Sequence, residues 1–338
     1  MPSPSGRPFA LGTFINQAGA KFAAIVLGDG VFPLSPSRSI RELLERWDED
    51  FDDLQRQADR CRDDKAPFTL GDLRPLAPVA PPGQIFQAGA NYRQHVLELL
   101  AGAERRHDSS DGVSDERRAE ARRALDERAR TGAPFVFQGS ANAVIGARDE
   151  IVLPPDSEQA DWELELVAVI GRRTRRVDRR EAMESVAGYM IANDLTLRDR
   201  LSRPDVPGGI DWLAAKNPPT FLPLGPLLVP AAHVSDPTNL RMELSVNGRT
   251  MQDATTADML FDVAALIEYL STITQLVPGD LVLTGSPAGN GAHHGVFLQP
   301  GDEVVGRIEG LGEQRNRCRA ESVVGYPAAV AGAEVIGG

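Results

Sequence analysis

From residue 135 onward the chain breaks into apolar stretches of strand length, at 135–137, 150–153, 162–170, 222–229, 241–246, 281–284 and 303–308. Only two stretches, at about 179–187 and 257–274, carry a helical period. Strands at irregular spacing, with too few helices to alternate with them, argue against an alternating parallel sheet and predict a β-rich α+β domain. A chain of 338 residues with 42% hydrophobic content can bury such a core and still hold a second, smaller unit.

That smaller unit is expected at the front. Residues 8–34 alternate apolar and polar around Gly28 to Gly30, the pattern of a β-hairpin closed by Gly-Asp-Gly. Ser39 opens a helix through Ile40, Leu43 and Leu44, and a second helical stretch runs near residues 51–60. Pro75, Pro78, Pro81 and Pro82 make residues 72–83 a stiff connection. The expected organisation is a small N-terminal domain at 1–75, a Pro-rich linker at 76–83 and a catalytic domain at 84–338. Within the last, a short strand at 85–89 leads into a helix beginning near Asn91. Residues 103–130, rich in Arg, Asp, Glu and Ala and broken by Gly112, read as a charged helical insertion with a mobile segment at 108–112. Lying next to His95, this insertion, about 92–132 in all, is expected to serve as a lid. No internal repeat and no Gly-rich dinucleotide or P-loop signature is present.

Net charge narrows the partners. At −12 the chain is a poor match to nucleic acid or an anionic membrane surface, so an anionic substrate needs local cations or a metal. Two distant cysteines, Cys61 and Cys318, give no disulfide framework. The N-terminus lacks an apolar secretory region, and no apolar run is long enough to span a bilayer, so a cytoplasmic location is expected. There are three lysines, Lys21, Lys65 and Lys216, in a chain that otherwise uses arginine. An ammonium is compact and can lose its proton when desolvated, which a guanidinium cannot do.

Asp161-Trp162-Glu163-Leu164-Glu165-Leu166-Val167-Ala168-Val169-Ile170-Gly171 is the sharpest local feature. On a strand Glu163 and Glu165 project from one face, roughly 7 Å apart along the backbone. Leu164, Leu166, Ala168 and Ile170 take the other face, which should be core. Two carboxylates so close repel unless a cation lies between them. Asp194, just after a mostly apolar strand, adds a third. Three carboxylates suit a hard cation such as Mg²⁺, leaving positions for water and substrate oxygens. With no Cys or His nearby, softer metals are disfavoured.

The runs ELELVAVIG, GYMIANDLTLRD and the lysine before TFLPLGP, with NYRQHVLE ahead of them and LTGSPAGNG, LQPGDEV and IEGLGEQRN behind, resemble the catalytic core of the fumarylacetoacetate hydrolases over about residues 84–318. The resemblance extends to the acylpyruvate and fumarylpyruvate hydrolases of that family. It implies a mixed β-sandwich or β-roll catalytic domain behind a small N-terminal α/β domain, and a homodimer. It further implies that Glu163, Glu165 and Asp194 bind Mg²⁺ or Mn²⁺, that His95 and Glu98 activate water, and that Lys216 is the active-site lysine. Residues i and i+3 share a helix face, so Glu98 is expected to orient the His95 imidazole. Tyr92, Arg198, Gln252, Thr284 and Gly285 match positions that bind substrate.

Three positions depart from the family pattern. Lys216-Asn-Pro-Pro-Thr220, with Pro218 and Pro219, stands where Lys-Ser-Phe-Asp-Thr is common. Gln138 replaces a frequent lysine, and the insertion at 100–132 is longer than usual. His293 and His294 have no counterpart and read as a flexible polar loop. The expected activity is metal-dependent hydrolysis of a carbon–carbon bond in a small 2-oxo or 1,3-dicarbonyl acid, as in the breakdown of aromatic compounds. Oxaloacetate decarboxylation, keto-acid tautomerisation and sugar-acid hydration are alternatives on the same core. An inactive metal-binding scaffold is the alternative from another class.

Overall fold

The structure is a computed structural model that describes residues 8–107 and 115–322. The expected mobile segment at 108–112 lies outside the described residues. Around it, Arg93–His107 and Asp115–Thr131 are both helical.

At the front, a five-stranded antiparallel sheet runs in the order Phe68–Thr69, Gly30–Pro33, Lys21–Leu27, Ala10–Ile15, Arg74–Leu76. The Gly-Asp-Gly turn closes between Leu27 and Gly30, with Gly28 at φ +60°, a conformation that side-chain-bearing residues rarely adopt. Arg74–Leu76 pairs with Ala10–Ile15, so the proline-rich connection begins as an edge strand, where a missing N–H is tolerated. Helix Ile40–Leu44 starts at Ser39, whose side chain caps the Glu42 N–H while Glu42 reaches back to the Ser39 N–H.

The larger domain is built on an eight-stranded mixed sheet. Its path is Phe135–Gly139, Ile85–Gly89, Leu281–Leu283, Leu164–Ile170, Val186–Asn193, Leu222–Leu224 and Val144–Gly146, with Val229–Pro230 also pairing to Val186–Asn193. A second five-stranded sheet runs Arg249–Thr255, Arg241–Val246, Glu303–Ile308, Gly312–Ala320, Ile151–Leu153. The architecture is mixed α+β and rich in strands, as the spacing of apolar segments predicts. Helix Val263–Ile273 is shorter than the helical period suggests, because a 3-10 turn at Thr256–Asp258 precedes it.

Strand Leu164–Ile170 is buried along its whole length, and its two faces enter different cores. Leu164, Leu166, Ala168 and Ile170 join the core of the larger domain. Val167 and Val169 pack in a cluster with Leu11, Ile40 and Leu43 of the N-terminal unit. Burying a branched aliphatic side chain contributes roughly 1.5–3 kcal/mol, so this strand is a shared floor for both units. Glu163 and Glu165 stand at its N-terminal end, where the covering N-terminal unit gives way to the site.

Candidate active site

Strands Leu164–Ile170 and Val186–Asn193 pair antiparallel, with Leu164 opposite Asn193. One residue beyond that pair on each strand, the Asp194 N–H donates to the Glu163 carbonyl at 2.8 Å, and the Glu163 N–H donates to Asn193 Oδ1 at 2.8 Å. Register alone therefore brings Asp194 against Glu163 and Glu165. One carboxylate oxygen of each residue lies within 4.8 Å of the other two, and all three residues are buried.

Lys216 enters from the end of helix Trp212–Lys216. Its Nζ donates to Glu163 Oε2 at 2.5 Å, to Asp194 Oδ2 at 2.7 Å and to the Asp194 carbonyl at 2.7 Å. The geometry fits a compact ammonium with three donors, where a planar guanidinium would not. Burial works against its charge, but Asp194 and Glu163 outweigh it and hold the lysine pKa above its ordinary value.

The three carboxyls are not equivalent. Burial raises Glu163, yet Lys216 and then Arg198 overcome it and bring the group down to about 2. Burial, followed by repulsion from Asp194, drives Glu165 well above the carboxylate range. Asp194 is pushed up to about 6, chiefly by burial. Three carboxyls share the Lys216 ammonium and, through Glu163, the Arg198 guanidinium that also serves Asp161, so the centre is short of positive charge. An all-oxygen set with that deficit fits a hard divalent cation.

Surrounding side chains hold this centre in place. Arg198 donates from Nε to Asp161 Oδ2 at 2.8 Å and from Nη2 to Glu163 Oε1 at 2.5 Å. Asp161 also accepts the N–H groups of Gly291 at 2.6 Å and Ala292 at 3.1 Å. Gln87 Nε2 donates to Asp194 Oδ1 at 2.5 Å. The Gly285 N–H donates to Glu165 Oε2 at 2.8 Å. Gly285 has φ +89°, and a Cβ there would lie 2.9 Å from the Ala88 carbonyl, so glycine is required for that contact.

His95 is buried on helix Arg93–His107, and its Nδ1 has no hydrogen-bond partner among the described residues. Burial pulls its pKa down to about 4, so the imidazole is neutral at neutral pH, within electrostatic reach of Glu163, Arg198 and Lys216. The expected orientation of His95 by Glu98 is not made. Glu98 Oε2 accepts the Gly289 N–H at 3.0 Å, and Oε1 lies 3.6 Å from His293 Nε2. The Gly289 amide, and not the imidazole, is the hydrogen-bond partner of the carboxylate. His293 and His294, expected in a flexible loop, end the short helix Gly291–His294 whose first N–H groups rest on Asp161.

The residues matched to substrate binding are in part engaged inside the protein. Tyr92 is fully buried in the core, with its hydroxyl 3.3 Å from Met242 Sδ. Gln252 accepts the Leu164 N–H at 3.1 Å and donates to Ser286 Oγ at 3.0 Å and the Pro287 carbonyl at 2.8 Å. Thr284 Oγ1 donates to the Leu166 carbonyl at 3.0 Å. Gln252 and Thr284 bind the backbone of the strand that follows Glu163, and Arg198 holds Asp161 and Glu163. Gln138 is exposed. Sequence reasoning missed Asp161, Gln87 and Asn290. Asp161 directly precedes Trp162-Glu163, but a carboxylate that binds backbone N–H groups has no signature of its own. Two of the missed polar groups are incompletely used, since Gln87 Oε1 and Asn290 Oδ1 are buried without partners. With His95 Nδ1 they give the site three buried polar atoms without partners among the described residues, an arrangement suited to water or a polar ligand. No helix among the described residues is long and apolar enough to cross a membrane.

Residues 84–319 match the family model described as fumarylacetoacetate hydrolase, C-terminal. A mitochondrial oxaloacetate tautomerase of Bos taurus is 37% identical over 240 residues, which is 70% of this chain and 67% of that protein. A 2,4-didehydro-3-deoxy-L-rhamnonate hydrolase of a Sphingomonas species is 36% identical over 254 residues, covering 74% of this chain and 78% of that one. Among solved structures, a fumarylacetoacetate hydrolase of psychrophilic Exiguobacterium antarcticum superposes with a TM-score of 0.70 at 29% identity, covering 93% of this chain and 100% of that one.

Proposed function

The chain belongs to the fumarylacetoacetate hydrolase family, and from that premise we propose that it hydrolyses a carbon–carbon bond in an acylpyruvate-type 1,3-dicarbonyl acid. One observation carries this reading: a neutral, buried imidazole with an unpartnered Nδ1 stands within electrostatic reach of a three-carboxylate centre that shares a single lysine ammonium. Residues 84–338 would form the catalytic domain, with residues 1–75 as a small domain joined by the linker at 76–83. Mg²⁺ or Mn²⁺ held by Glu163, Glu165 and Asp194 would supply Lewis acidity to the carboxylate and 2-oxo oxygens of the substrate.

His95 Nδ1 accepts a proton from water, whose oxygen adds to the distal carbonyl. The bond between that carbonyl carbon and the methylene carbon then breaks. Its electron pair leaves with the methylene carbon as the enolate of pyruvate. Lys216 Nζ provides fixed positive charge beside the developing enolate. Protonation of the methylene carbon completes the balance: one acylpyruvate and one water give one carboxylic acid and one pyruvate.

The test is His95→Ala with acetylpyruvate and Mn²⁺. Hydrolysis should fall on the order of 10²–10⁴-fold, the usual worth of a general base, while calorimetric Mn²⁺ binding is retained. Undiminished hydrolysis would end the reading. A second reading, tautomerisation of oxaloacetate, is favoured by the contacts of Glu98 with Gly289 and His293 in place of His95. Tautomerisation moves only a proton and needs no activated water, and the bovine relative is an oxaloacetate tautomerase. The two readings separate when enol decay of oxaloacetate and hydrolysis of acetylpyruvate are measured on the same His95→Ala protein.

A further inference from the structure

The geometry points to an aromatic ledge, built from Phe137, Trp212 and Phe135, that seats a planar apolar acyl group at the end of the substrate remote from its 2-oxo acid. The inference rests on the 2-oxo acid reading above and adds to it the class of acyl group.

The ledge is placed by register. Strand Phe135–Gly139 pairs antiparallel with Ile85–Gly89, so that Phe137 lies opposite Gln87 and Phe135 opposite Gly89. Directly opposed residues of an antiparallel pair share a sheet face. Gln87 reaches Asp194 Oδ1, so the face bearing Phe137 is the one that bears the carboxylate centre. Alternation puts Phe135 on that face as well and turns Gln138 to the other. Gly89 leaves room for the Phe135 ring to lie over the neighbouring strand, since a Cβ there would stand 2.8 Å from Phe135 Cδ1.

Helix Trp212–Lys216 completes the ledge. Trp212 and Lys216 are four residues apart and share one helix side. The Trp212 ring stacks on Phe137 with centroids 4.2 Å apart and planes 10° from parallel, and Phe135 meets Trp212 at 5.9 Å. Lys216 Nζ lies 6.0 Å over the Phe137 ring centroid. The aromatic surface therefore begins one ring away from the ammonium that touches Glu163 and Asp194.

Exposure separates these rings from core packing. Trp162 is fully buried and Trp47 nearly so, whereas Trp212 and Phe137 are only half-buried and Phe135 is 45% exposed. A chain that leaves three touching rings partly open beside a polar centre offers a surface to something flat and apolar. A second carboxylate laid against those rings would lose hydration without a partner. An aroyl or conjugated acyl group carries no charge to desolvate there and would gain stacking.

The experiment uses 2-oxo acids that lack the second carbonyl, so that binding is read without turnover. Binding of 4-phenyl-2-oxobutanoate and of 2-oxobutanoate to the full chain with Mn²⁺ is measured by calorimetry, and quenching of tryptophan fluorescence by the phenyl ligand is followed in parallel. An aromatic contact is worth about a two- to tenfold gain in affinity beyond simple area burial, so the phenyl ligand should bind on the order of tenfold more tightly. That ratio should fall to about two in Trp212→Ala and in Phe137→Leu, and be largely kept in Trp212→Phe. Circular dichroism confirms that each variant is folded, and the wild-type ratio needs no variant at all. If both ligands bind wild type equally, or the ratio survives in folded Trp212→Ala and Phe137→Leu, the ledge is packing alone and the inference is overturned, while the 2-oxo acid reading stands. If neither ligand binds in the presence of Mn²⁺, the 2-oxo acid reading itself fails and takes this inference with it.

Discussion

Replacing Lys216 by methionine removes the one ammonium in the carboxylate centre while keeping a similar side-chain volume. Lys216 is buried, with three donor contacts at 2.5–2.7 Å to Glu163 and Asp194. Taking one partner out of a buried ion pair costs about 3–5 kcal/mol, because the remaining charge is left without compensation. Glu163 keeps Arg198, whereas Asp194 keeps only the neutral Gln87 amide, so most of the loss falls on Asp194. At ~2.1 cal/mol/K of unfolding entropy per residue, a chain of 338 residues changes by about 0.7 kcal/mol for each degree. The melting temperature of Lys216→Met should then drop by roughly 4–7 °C without divalent cations. Adding Mn²⁺ should raise the variant's melting temperature more than the wild type's, since a cation at the centre replaces the lost positive charge. Saturation at 100 times the dissociation constant is worth about 2.7 kcal/mol. Scanning calorimetry with and without Mn²⁺ reads both effects. A loss below about 1 kcal/mol, or a variant indifferent to Mn²⁺, would refute the view that this centre is a charge-deficient cation site.

The other predictions address separate parts of the molecule. Glu163→Gln, Glu165→Gln and Asp194→Asn should each abolish activity and weaken Mg²⁺ or Mn²⁺ binding in calorimetry; unchanged affinity in all three would remove the metal assignment. His233 contacts Phe9 at 4.9 Å and Phe51 at 6.0 Å, and its pKa is lowered by burial and then by Arg62. Above its ordinary pKa of ~6.5 the ring is neutral in both states, and as pH falls below that value the unfolded chain binds a proton the folded one resists, so stability declines. His233→Phe should flatten the change in melting temperature between pH 7.5 and 5.5; an unaltered slope would assign that change to other groups. A homodimer is expected from the family resemblance. Sedimentation at the mass of one 36.5 kDa chain at micromolar concentration would exclude it.

What could be read from the sequence was whatever repeats locally. Alternation in Asp161–Gly171 puts Glu163 and Glu165 side by side because side chains on a strand recur every second residue, and that holds before any partner strand is known. The spacing of apolar segments in the same way announced a strand-rich domain. The partners of those residues were decided over distances that local pattern does not encode. Asp194 meets Glu163 because of the register between two strands, Gln87 meets Asp194 across 107 residues, and the Gly285 N–H meets Glu165 across 120. Arg198 and Tyr92 carry the residue types expected of a substrate pocket, yet the folded chain commits one to Asp161 and Glu163 and the other to its core. Glu98 sits three residues from His95, but a hydrogen bond goes to whichever donor tertiary packing presents, and here that donor is the Gly289 amide. Residue type and period set which chemistry is available; strand order and register, which depend on burying both faces of Leu164–Ile170 at once, set which groups touch.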